Sequence, residues 1–339
     1  MSNSRITYTH SLVEFPTTEI IDQIKEESNK LHALNIEVSK VIVGQQNIVE
    51  FILLAILCNG HILLEGVPGV AKTTIIKTIS RALNLAFRRI QFTPDLLPAD
   101  LIGTLIYNPK SQEFETKKGP IFANLILADE INRAPAKVQA ALLESMQEQQ
   151  VTIGSQTYKL DEPFLVFATQ NPVEQEGTYR LPEAQVDRFM FKLLVSYPSF
   201  TQEQEILRRK INLNTILSII DKQEIKQAQH LVEQVYVDEK VIEYIVNIVF
   251  ATRLPEKANL HELKQYILYG VSPRATLALF HASKAHAFLQ KRHFVIPDDV
   301  KKVAPAILRH RITLTYEAEA DGMLQEKIIK TILETVPTP

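Results

Sequence analysis

The sequence predicts an α/β protein in which a parallel five-stranded sheet precedes a helical domain. From His61 to Val195, short runs rich in Ile, Leu, Val and Phe alternate with longer segments of helical periodicity. Most of these runs do not alternate apolar with polar residues, which is typical of strands buried on both faces. Helical segments between such strands favour a parallel sheet covered by helices. After Tyr197-Pro198-Ser199 the strand-like runs stop, and the sequence has helical character up to about Glu334.

A polar arm opens the chain and leads into a predicted helix. Thr17-Thr18-Glu19 resembles a helix cap. The apolar residues that follow recur at helical spacing, at Ile20, Ile24, Leu31 and Leu34. A second helical stretch is predicted from about Gln46 to Cys58. We therefore predict an N-terminal arm and helix in residues 1–35, an α/β core in 36–200 and a helical domain in 201–339.

Five apolar runs are the candidate strands of the sheet. They are His61–Glu65, Phe87–Phe92, Asn124–Ala128, Phe164–Thr169 and Phe191–Val195. Two further stretches are typical of β-hairpins inserted between the strand–helix units. The first is Thr104–Thr116, which contains the turn-initiating pair Asn108-Pro109. The second is Val151–Tyr158, with Gly154-Ser155 at its tip.

Composition and charge exclude several classes of protein. Hydrophobic residues make up 45% of the chain and charged residues 22%, which is typical of a folded globular protein. The formal net charge is −2, so the totals show no basic excess of the kind that a dedicated nucleic-acid binder carries. Cys58 is the only cysteine, which excludes a disulfide framework and a cysteine zinc site within one chain.

The apolar segments are too short for secretion or membrane insertion. Met1–Phe15 has no apolar run of signal-peptide length. The apolar stretch Phe51–Cys58 is closed by Glu50 on one side and by Asn59-Gly60 on the other. It is far shorter than the roughly 20 residues that a membrane span needs. We therefore expect a cytoplasmic protein with no membrane span.

The strongest local signal is a phosphate-binding loop between a strand and a helix. The loop reads Gly66-Val67-Pro68-Gly69-Val70-Ala71-Lys72-Thr73 and precedes the helical run Thr74–Leu83. In such a loop, consecutive backbone N–H groups surround a phosphate at the N-terminus of a helix. Lys72 would neutralise charge on the β- and γ-phosphates, and the Thr73 hydroxyl would ligate Mg²⁺. We assign Thr74, at the start of the helical run, to the same nucleotide contact.

Ala71 departs from the general form of this loop, which has glycine before the lysine. A methyl group is tolerated at that position only if the backbone stays in a region open to residues other than glycine, so this is the expectation for Ala71. The alternative interpretation is a chance glycine-rich loop before a helix. The register of Lys72-Thr73 and the preceding strand weigh against that alternative.

Two carboxylates directly follow the apolar run Leu125–Ala128. At the end of a strand, Asp129 can hold Mg²⁺ through water, and Glu130 is then aimed at the attacking water as its base or orienter. The next candidate strand ends in Gln170-Asn171-Pro172, where Asn171 could position water. The alternatives are two solvated acids at a strand tip and an Asn171 that only caps a turn.

Two arginines could stabilise negative charge on the phosphates. Arg188 precedes the last strand, so from the edge of the sheet it cannot easily reach its own phosphate loop, but it could reach a neighbour's. Arg274 opens a helix after Ser272-Pro273, where the helix dipole favours anions, and this placement makes sense if its side chain faces phosphate. The alternatives are a structural ion pair of Arg188 with Asp187 or Glu183, and an exposed Arg274.

Taken in order, these features resemble the motifs of AAA+ ATPases. The phosphate loop, the acidic pair, Asn171, Arg188 and Arg274 correspond to Walker A, Walker B, sensor 1, the arginine finger and sensor 2. Further stretches resemble the MoxR family within AAA+, namely Phe92–Pro98, Leu127–Ala134, Ala168–Pro172 and Gly177–Phe189. MoxR-like loops carry alanine where this chain has Ala71, and Val43-Gly44-Gln45 is similar to the family's segment beside the adenine. The resemblance extends from about Leu31 to Glu334.

The resemblance implies a particular architecture and particular ligands. It implies a core sheet with strand order 5-1-4-3-2, β-hairpin inserts and a helical lid domain. The ligands would be ATP and Mg²⁺, with Val43 and Gly44 close to the adenine. Members of the family form rings, usually hexamers, and their ATP sites lie between subunits.

The resemblance also implies a function. It implies an ATP-hydrolysing ring with a chaperone-like role in the maturation of protein complexes, often with partners that carry von Willebrand A domains and with insertion of a metal or cofactor. Three alternatives stay open: a metal-insertion subunit like that of magnesium chelatase, a nucleic-acid motor or loader, and an ATP-switched scaffold. The near-neutral charge weighs against the nucleic-acid motor, and the intact Asp129-Glu130 pair weighs against the scaffold.

Overall fold

The computed structural model describes residues 15–67, 69–171, 179, 181–209 and 215–339. Helix α1 (Thr18–Ser39) precedes the α/β core, and α2 (Gln46–Leu57) is the first helix of that core. The core contains β1 (Ile62–Gly66), α3 (Lys72–Ala82), β2 (Phe87–Gln91), α4 (Pro98–Ile102), β3 (Gly103–Asn108), β4 (Glu113–Lys118), β5 (Leu125–Asp129), α5 (Ala136–Glu148), β6 (Gln150–Ile153), β7 (Gln156–Lys159), β8 (Leu165–Gln170), α6 (Glu183–Val186) and β9 (Phe191–Val195). The helical domain contains α7 (Phe200–Arg208), α8 (Lys222–Glu233), α9 (Glu239–Arg253), β10 (Ile267–Tyr269), α10 (Pro273–Leu289), α11 (Pro297–Leu308), β11 (Thr313–Leu314), α12 (Tyr316–Ala320) and α13 (Gln325–Thr335).

Five parallel strands form the central sheet, in the order β2-β5-β8-β1-β9. When only these five strands are numbered along the chain, the order is 5-1-4-3-2, so the prediction is confirmed. All five lie within one residue of the predicted runs at each end. Because the strands are parallel, their carboxyl ends meet at one edge of the sheet. That edge carries the ends of the phosphate-loop strand and of the strand before the acidic pair.

The central strands are buried on both faces, as their unbroken apolar sequence predicts. In β5, Leu125 and Leu127 belong to one hydrophobic cluster, while Ile126 and Ala128 belong to the cluster on the opposite face. The first cluster also takes in α1, α2, α3 and the helical domain, and the second takes in α4 and α5. The helical domain therefore shares a continuous core with one face of the sheet.

Both predicted hairpins are present. β3 pairs with β4 in antiparallel fashion, and β6 pairs with β7. The first hairpin is largely exposed and carries apolar side chains, among them Tyr107 and Phe114, whose ring centroids lie 5.5 Å apart. Each hairpin joins two elements of the core without entering the central sheet.

Local capping explains where the helices of the helical domain begin. Asp221, Asp238 and Ser272 each accept a backbone N–H bond at the N-terminus of α8, α9 and α10. The domain also contains a two-stranded antiparallel sheet, in which β10 pairs with β11. The sequence does not predict this pair, because strands of three and two residues are too short to give a strand pattern.

Helix α1 connects the two parts of the molecule. It packs against α2 and α3 of the core and against α8 and α10 of the helical domain. The Ser28 hydroxyl donates to the Leu289 carbonyl oxygen at the end of α10 (3.3 Å). At the C-terminus of α1, Arg209 Nη1 donates to the Ser39 carbonyl oxygen. Helix α1 runs through residue 35, and α7 begins at Phe200.

A buried ion-pair cluster also joins the core to the helical domain. His286 of α10 lies between Asp299 of α11, at 2.5 Å from Nδ1 to Oδ1, and Glu50 of α2, at 3.6 Å from Nε2 to Oε1. Burial lowers the pKa of His286, but the two carboxylates outweigh it, so the pKa lies above its ordinary value. Protonated His286 therefore stabilises the contact between the two parts.

Within the described residues, no helix is both long enough and apolar enough to cross a membrane.

Candidate nucleotide-binding site

The phosphate loop lies between the end of β1 and the start of α3, as predicted. Gly66 ends β1, and a Cβ atom there would lie 2.5 Å from the carbonyl oxygen of Val195 in β9, so only glycine fits. Lys72 begins α3, and its Nζ donates to the Gly66 carbonyl oxygen at 2.7 Å. Val67 packs partly against the main hydrophobic cluster, and Val70 is buried. Pro68 lies outside the described residues.

Ala71 adopts the left-handed backbone conformation, with φ 58° and ψ 20°. The expectation of a backbone region open to non-glycine residues is therefore wrong, because this region is disfavoured for residues that carry a Cβ atom. For alanine the conformation costs about 1 kcal/mol. It directs the backbone into the first turn of α3, so the geometry that glycine usually provides is kept by a strained alanine.

A cleft of about 350 Å³ lies over the phosphate loop at the carboxyl edge of the sheet. Its lining residues are Gly69, Val70, Ala71, Lys72, Thr73, Thr74, Arg89, Asp129, Glu130, Thr169 and Asn171. The structure thus brings together most of the predicted site residues from three separate stretches of sequence. Burial lowers the pKa of Lys72, and the carboxylates of Asp129 and Glu130 oppose that effect.

Both carboxylate oxygens of Asp129 accept hydrogen bonds. Thr169 Oγ1 donates to Oδ1 at 2.6 Å. Arg89 donates to Oδ2 through Nε at 2.9 Å and through Nη2 at 2.6 Å. Thr169 and Arg89 stand on β8 and β2, the two strands that flank β5. The sequence analysis assigned neither residue to the site. No motif marks Arg89, and although Thr169 lies within the MoxR-like stretch Ala168–Pro172, only the order of the strands brings it to Asp129.

Glu130 is held by its backbone and by its side chain. Its backbone is left-handed, with φ 57°, and its N–H donates to Thr169 Oγ1 at 2.8 Å. Its Oε2 accepts from Gln91 Nε2 at 2.9 Å and from Arg133 Nη1 at 3.0 Å. Gln91 is a further residue that the sequence analysis missed. The carboxylate is thereby fixed at the mouth of the cleft, where it can accept a proton from water.

Asn171 follows β8 directly and is 8% exposed. It lines the phosphate cleft and also a neighbouring cavity of about 500 Å³. This placement agrees with a polar side chain that lies between the acidic pair and the phosphates.

Val43 and Gly44 are not among the residues that line the phosphate cleft. They precede α2, where Gln45 Nε2 donates to the Ser196 carbonyl oxygen just after β9. Gly44 has φ +78°, and a Cβ atom there would lie 2.2 Å from the side chain of Gln202 in α7. The segment is therefore in direct contact with the first helix of the helical domain.

The two predicted arginines lie together, away from the phosphate cleft of their own chain. Arg188 and Arg274 both line a separate cavity of about 270 Å³ between α5, the segment before β9 and α10. Arg188 Nη1 donates to the Leu143 carbonyl oxygen at 2.9 Å. Arg274 is half exposed, with Nη1 3.6 Å from Asp187 Oδ2. The alternative ion pair of Arg188 with Asp187 does not occur, because Asp187 is engaged by Arg274 and Arg311.

Arg311 and His310 fix the segment that carries Arg188. Arg311 is buried and donates to Asp187 Oδ1 at 2.7 Å and to the carbonyl oxygens of Phe189 and Met190. His310 Nε2 lies 2.9 Å from the Phe189 carbonyl oxygen and donates to it, since a carbonyl accepts only. Burial holds the pKa of His310 well below its ordinary value, so the ring is neutral. Both residues stabilise the contact between the core and the helical domain.

The oxygen donors of the cleft suit a magnesium ion that arrives with phosphates. Thr73 and Asp129 supply a hydroxyl and a carboxylate, and Mg²⁺ prefers a few protein oxygens completed by phosphate and water. No group of three or more His, Cys, Asp and Glu residues that could hold a metal occurs in the described part of the chain. The residues present therefore fit a metal that shares its ligands with a nucleotide.

Comparison with known proteins agrees with this geometry. Residues 61–191 match the model of the ATPase family associated with various cellular activities (AAA), and residues 261–332 match that of the AAA lid domain. Over 314 residues the chain is 48% identical to Chaperone MoxR1 of Mycobacterium tuberculosis, with 92% of this chain and 83% of the relative covered. The chain belongs to the MoxR family of AAA+ ATPases.

Two other matches extend over nearly the same length. The uncharacterized protein YeaC of Bacillus subtilis is 46% identical over 305 residues, with 89% of this chain and 92% of that protein covered. The crystal structure of a proposed ATPase from Cytophaga hutchinsonii superposes with a TM-score of 0.90 at 51% identity. The superposition covers 95% of this chain and 98% of that one. The fold of that structure is thus present over almost the whole chain.

Proposed function

We propose that this MoxR protein binds ATP with Mg²⁺ in the phosphate cleft and hydrolyses it to ADP and phosphate. One observation carries the proposal. Lys72, Thr73, Asp129, Glu130 and Asn171 come from three different strand ends, yet they line a single cleft at the N-terminus of α3. A lysine, a hydroxyl, two carboxylates and an amide at a helix N-terminus are the groups that phosphoryl transfer to water requires.

Each residue has a distinct task in the proposed site. The N–H groups at the start of α3 and the Lys72 ammonium bind the phosphates, in line with the helix dipole. Thr73 and Asp129 hold Mg²⁺, which supplies charge neutralisation on the β- and γ-phosphates. Val43 and Gly44 lie toward the adenine, and Thr74 completes the phosphate contact.

Glu130 and Asn171 act on the attacking water. Asn171 positions the water, and Glu130 accepts its proton as the water oxygen bonds to the γ-phosphorus. The bond between the γ-phosphorus and the β–γ bridging oxygen breaks, and the electron pair stays on ADP. The hydrogen bonds from Gln91 and Arg133 hold the Glu130 carboxylate in place before the reaction.

We propose that Arg188 and Arg274 act on the nucleotide of a neighbouring subunit. They share one cavity that is lined by residues just before β1 and β9, and neither lines the phosphate cleft that the structure describes at the carboxyl edge of the sheet. This placement supports an assembly in which each cleft is completed by the next subunit, as in a ring, most simply a hexamer. The sequence assigns Arg274 to a nucleotide but does not say which subunit binds that nucleotide. The contact of Arg274 with Asp187, next to Arg188, favours the nucleotide of the neighbouring subunit.

At the level of the cell, we propose a chaperone-like role in the maturation or remodelling of protein complexes. The support is the extended match to a relative named Chaperone MoxR1, together with the exposed apolar hairpin β3–β4, which has the character of a contact surface. The partner proteins would include those with von Willebrand A domains, and metal or cofactor insertion is one form of the maturation. A metal-insertion subunit like that of magnesium chelatase is the alternative within the same chemistry.

The test is an affinity capture from native lysate. The bait is the Glu130→Gln variant with ATP, which should hold nucleotide and partner without turnover. The matched control is Lys72→Ala, which should not bind nucleotide. Recovery of a protein with a von Willebrand A domain, or of an immature metalloenzyme, with Glu130→Gln alone supports the proposal. Recovery of nucleic acid or replication proteins would favour the nucleic-acid motor instead.

A further inference from the structure

Arg89 donates hydrogen bonds to Asp129, the carboxylate that is proposed to hold Mg²⁺. It stands on the edge strand β2 and lines the phosphate cleft. Two of its nitrogens donate to the same oxygen of Asp129, Nε at 2.9 Å and Nη2 at 2.6 Å. The other oxygen of Asp129 accepts from Thr169. The carboxylate proposed as a magnesium ligand is therefore already neutralised by a cation of its own chain.

The guanidinium and a magnesium ion compete for this carboxylate. Both are cations, and a water of the Mg²⁺ shell must donate to the carboxylate of Asp129, where Arg89 already donates twice to Oδ2 and Thr169 once to Oδ1. The side chain of Arg89 is 50% exposed, whereas that of Asp129 is 16% exposed. Because one partner reaches solvent, Arg89 can leave the carboxylate without unfolding the strand.

We propose that Arg89 competes with Mg²⁺ for the carboxylate of Asp129. Its guanidinium occupies Asp129 while the cleft holds no nucleotide, and Mg²⁺ that arrives with the phosphates displaces it. The proposal rests on the assignment of the cleft to ATP and Mg²⁺ made above. Mg²⁺ alone does not displace the guanidinium, because Thr73 and Asp129 offer too few ligands until phosphate oxygens complete the set.

A second contact links Arg89 to the catalytic carboxylate of Glu130. Arg89 Nη2 also donates to Gln91 Oε1 at 2.8 Å, and Gln91 Nε2 donates to Glu130 Oε2 at 2.9 Å. Arg89 is thus connected to Glu130 through the Gln91 amide.

The test measures how much Mg²⁺ is needed for nucleotide binding. A fluorescent, non-hydrolysable ATP analogue is titrated with Mg²⁺ in the presence of the wild-type chain and three variants. Arg89→Gln removes the competing charge, and Arg89→Lys keeps a charge but loses the two-nitrogen contact. Arg88→Gln is the matched control, because Arg88 is exposed on the opposite face of β2.

For Arg89→Gln we expect the midpoint Mg²⁺ concentration to fall by at least about threefold, the effect of losing a half-exposed ion pair. Arg89→Lys should lie between Arg89→Gln and wild type, and Arg88→Gln should match wild type. Affinity for the analogue in the presence of a chelator should be the same in all four proteins. If Arg89 had only a structural role, its replacement would not lower the Mg²⁺ midpoint and at the same time leave metal-free binding unchanged.

Two results would overturn the inference. If Arg89→Gln needs as much Mg²⁺ as wild type, or more, Arg89 does not compete with the metal. If Arg88→Gln lowers the midpoint equally, the effect is one of net charge and not of the contact with Asp129. Failure of the proposed function looks different, since the wild-type chain would then bind no analogue, or would bind it without any dependence on Mg²⁺.

Discussion

Replacement of Thr169 by valine tests whether the acidic pair depends on one buried hydroxyl. Thr169 is 1% exposed, donates to Asp129 Oδ1 at 2.6 Å and accepts from the Glu130 N–H at 2.8 Å. Valine has nearly the same shape but removes both hydrogen bonds. The backbone N–H of Glu130 then loses its acceptor, and Asp129 loses a charge-assisted bond that cleft water replaces in part. We expect the free energy of unfolding to fall by about 2 kcal/mol.

The same substitution should also slow turnover. Outer-shell partners that orient a metal ligand typically contribute about 10- to 100-fold, so ATP hydrolysis should fall by that range. Urea unfolding followed by circular dichroism gives the stability, and phosphate release gives the rate. Thr152→Val is the matched control, because it removes an exposed threonine hydroxyl that contacts Thr157 on the second hairpin. A loss below about 0.5 kcal/mol together with wild-type turnover would refute the reasoning, since a buried hydrogen-bonded pair is worth more than that.

Four further predictions concern single residues. Ala71→Gly should raise the free energy of unfolding by about 0.5–1 kcal/mol, because glycine adopts φ 58° without strain; urea unfolding that shows a loss would contradict this. Glu130→Gln should keep ATP binding but turn over at least about 100-fold more slowly, since the positioned base is gone; near-normal phosphate release would contradict it. Arg188→Ala should lose turnover and regain it when mixed with Lys72→Ala subunits, because the two defects then lie on different sides of a shared site; mixtures without recovery would argue against action in trans. The pKa of His286 is raised, so its ion pairs stabilise the fold fully below its ordinary value of 6.5 and are lost as the pH rises through the higher folded value. His286→Gln should therefore flatten the decline of the unfolding free energy as the pH rises from 6.5 through the higher folded pKa, and an unchanged decline would remove His286 as its source.

The elements that the sequence predicted correctly are those with a local signature. The strand β5 is an unbroken apolar run, and burial on both faces requires such a run. The phosphate loop has a fixed spacing, and its position between β1 and α3 follows from that spacing alone. The pair β10–β11 has no such signature, because its strands are stabilised by their surroundings and not by a pattern of their own.

The parts of the site that were missed depend on neighbouring strands. Arg89 and Gln91 reach the acidic pair because β2 lies beside β5 with Gln91 opposite Asp129. Thr169 reaches it from β8, on the other side. A signal was present, since two polar residues at alternate positions in a predicted sheet strand suggest a polar contact on one face. The partner of that contact, however, is set by strand order, which local periodicity does not contain.

Arg274 shows the same limit for the relation between domains. Its position at the start of a helix predicts a side chain that faces phosphate, and its partner within the chain is Asp187. The sequence of α10 says nothing about which part of the core that helix packs against. Only the packed molecule shows that Arg274 joins Arg188 and that both lie away from the phosphate loop of their own chain.

The hydrogen bonds from Arg311 to the segment before β9 have a consequence for the order in which subunits hydrolyse nucleotide. Arg311 belongs to the helical domain, yet its hydrogen bonds end on Asp187, Phe189 and Met190, the residues on either side of Arg188. A rotation of the helical domain must therefore shift Arg188 as well. If Arg188 completes the cleft of the next subunit, the angle of one lid sets the rate in its neighbour. Hydrolysis in such an assembly would then occur in order from one subunit to the next, because the rate in each subunit depends on the orientation of its neighbour's helical domain.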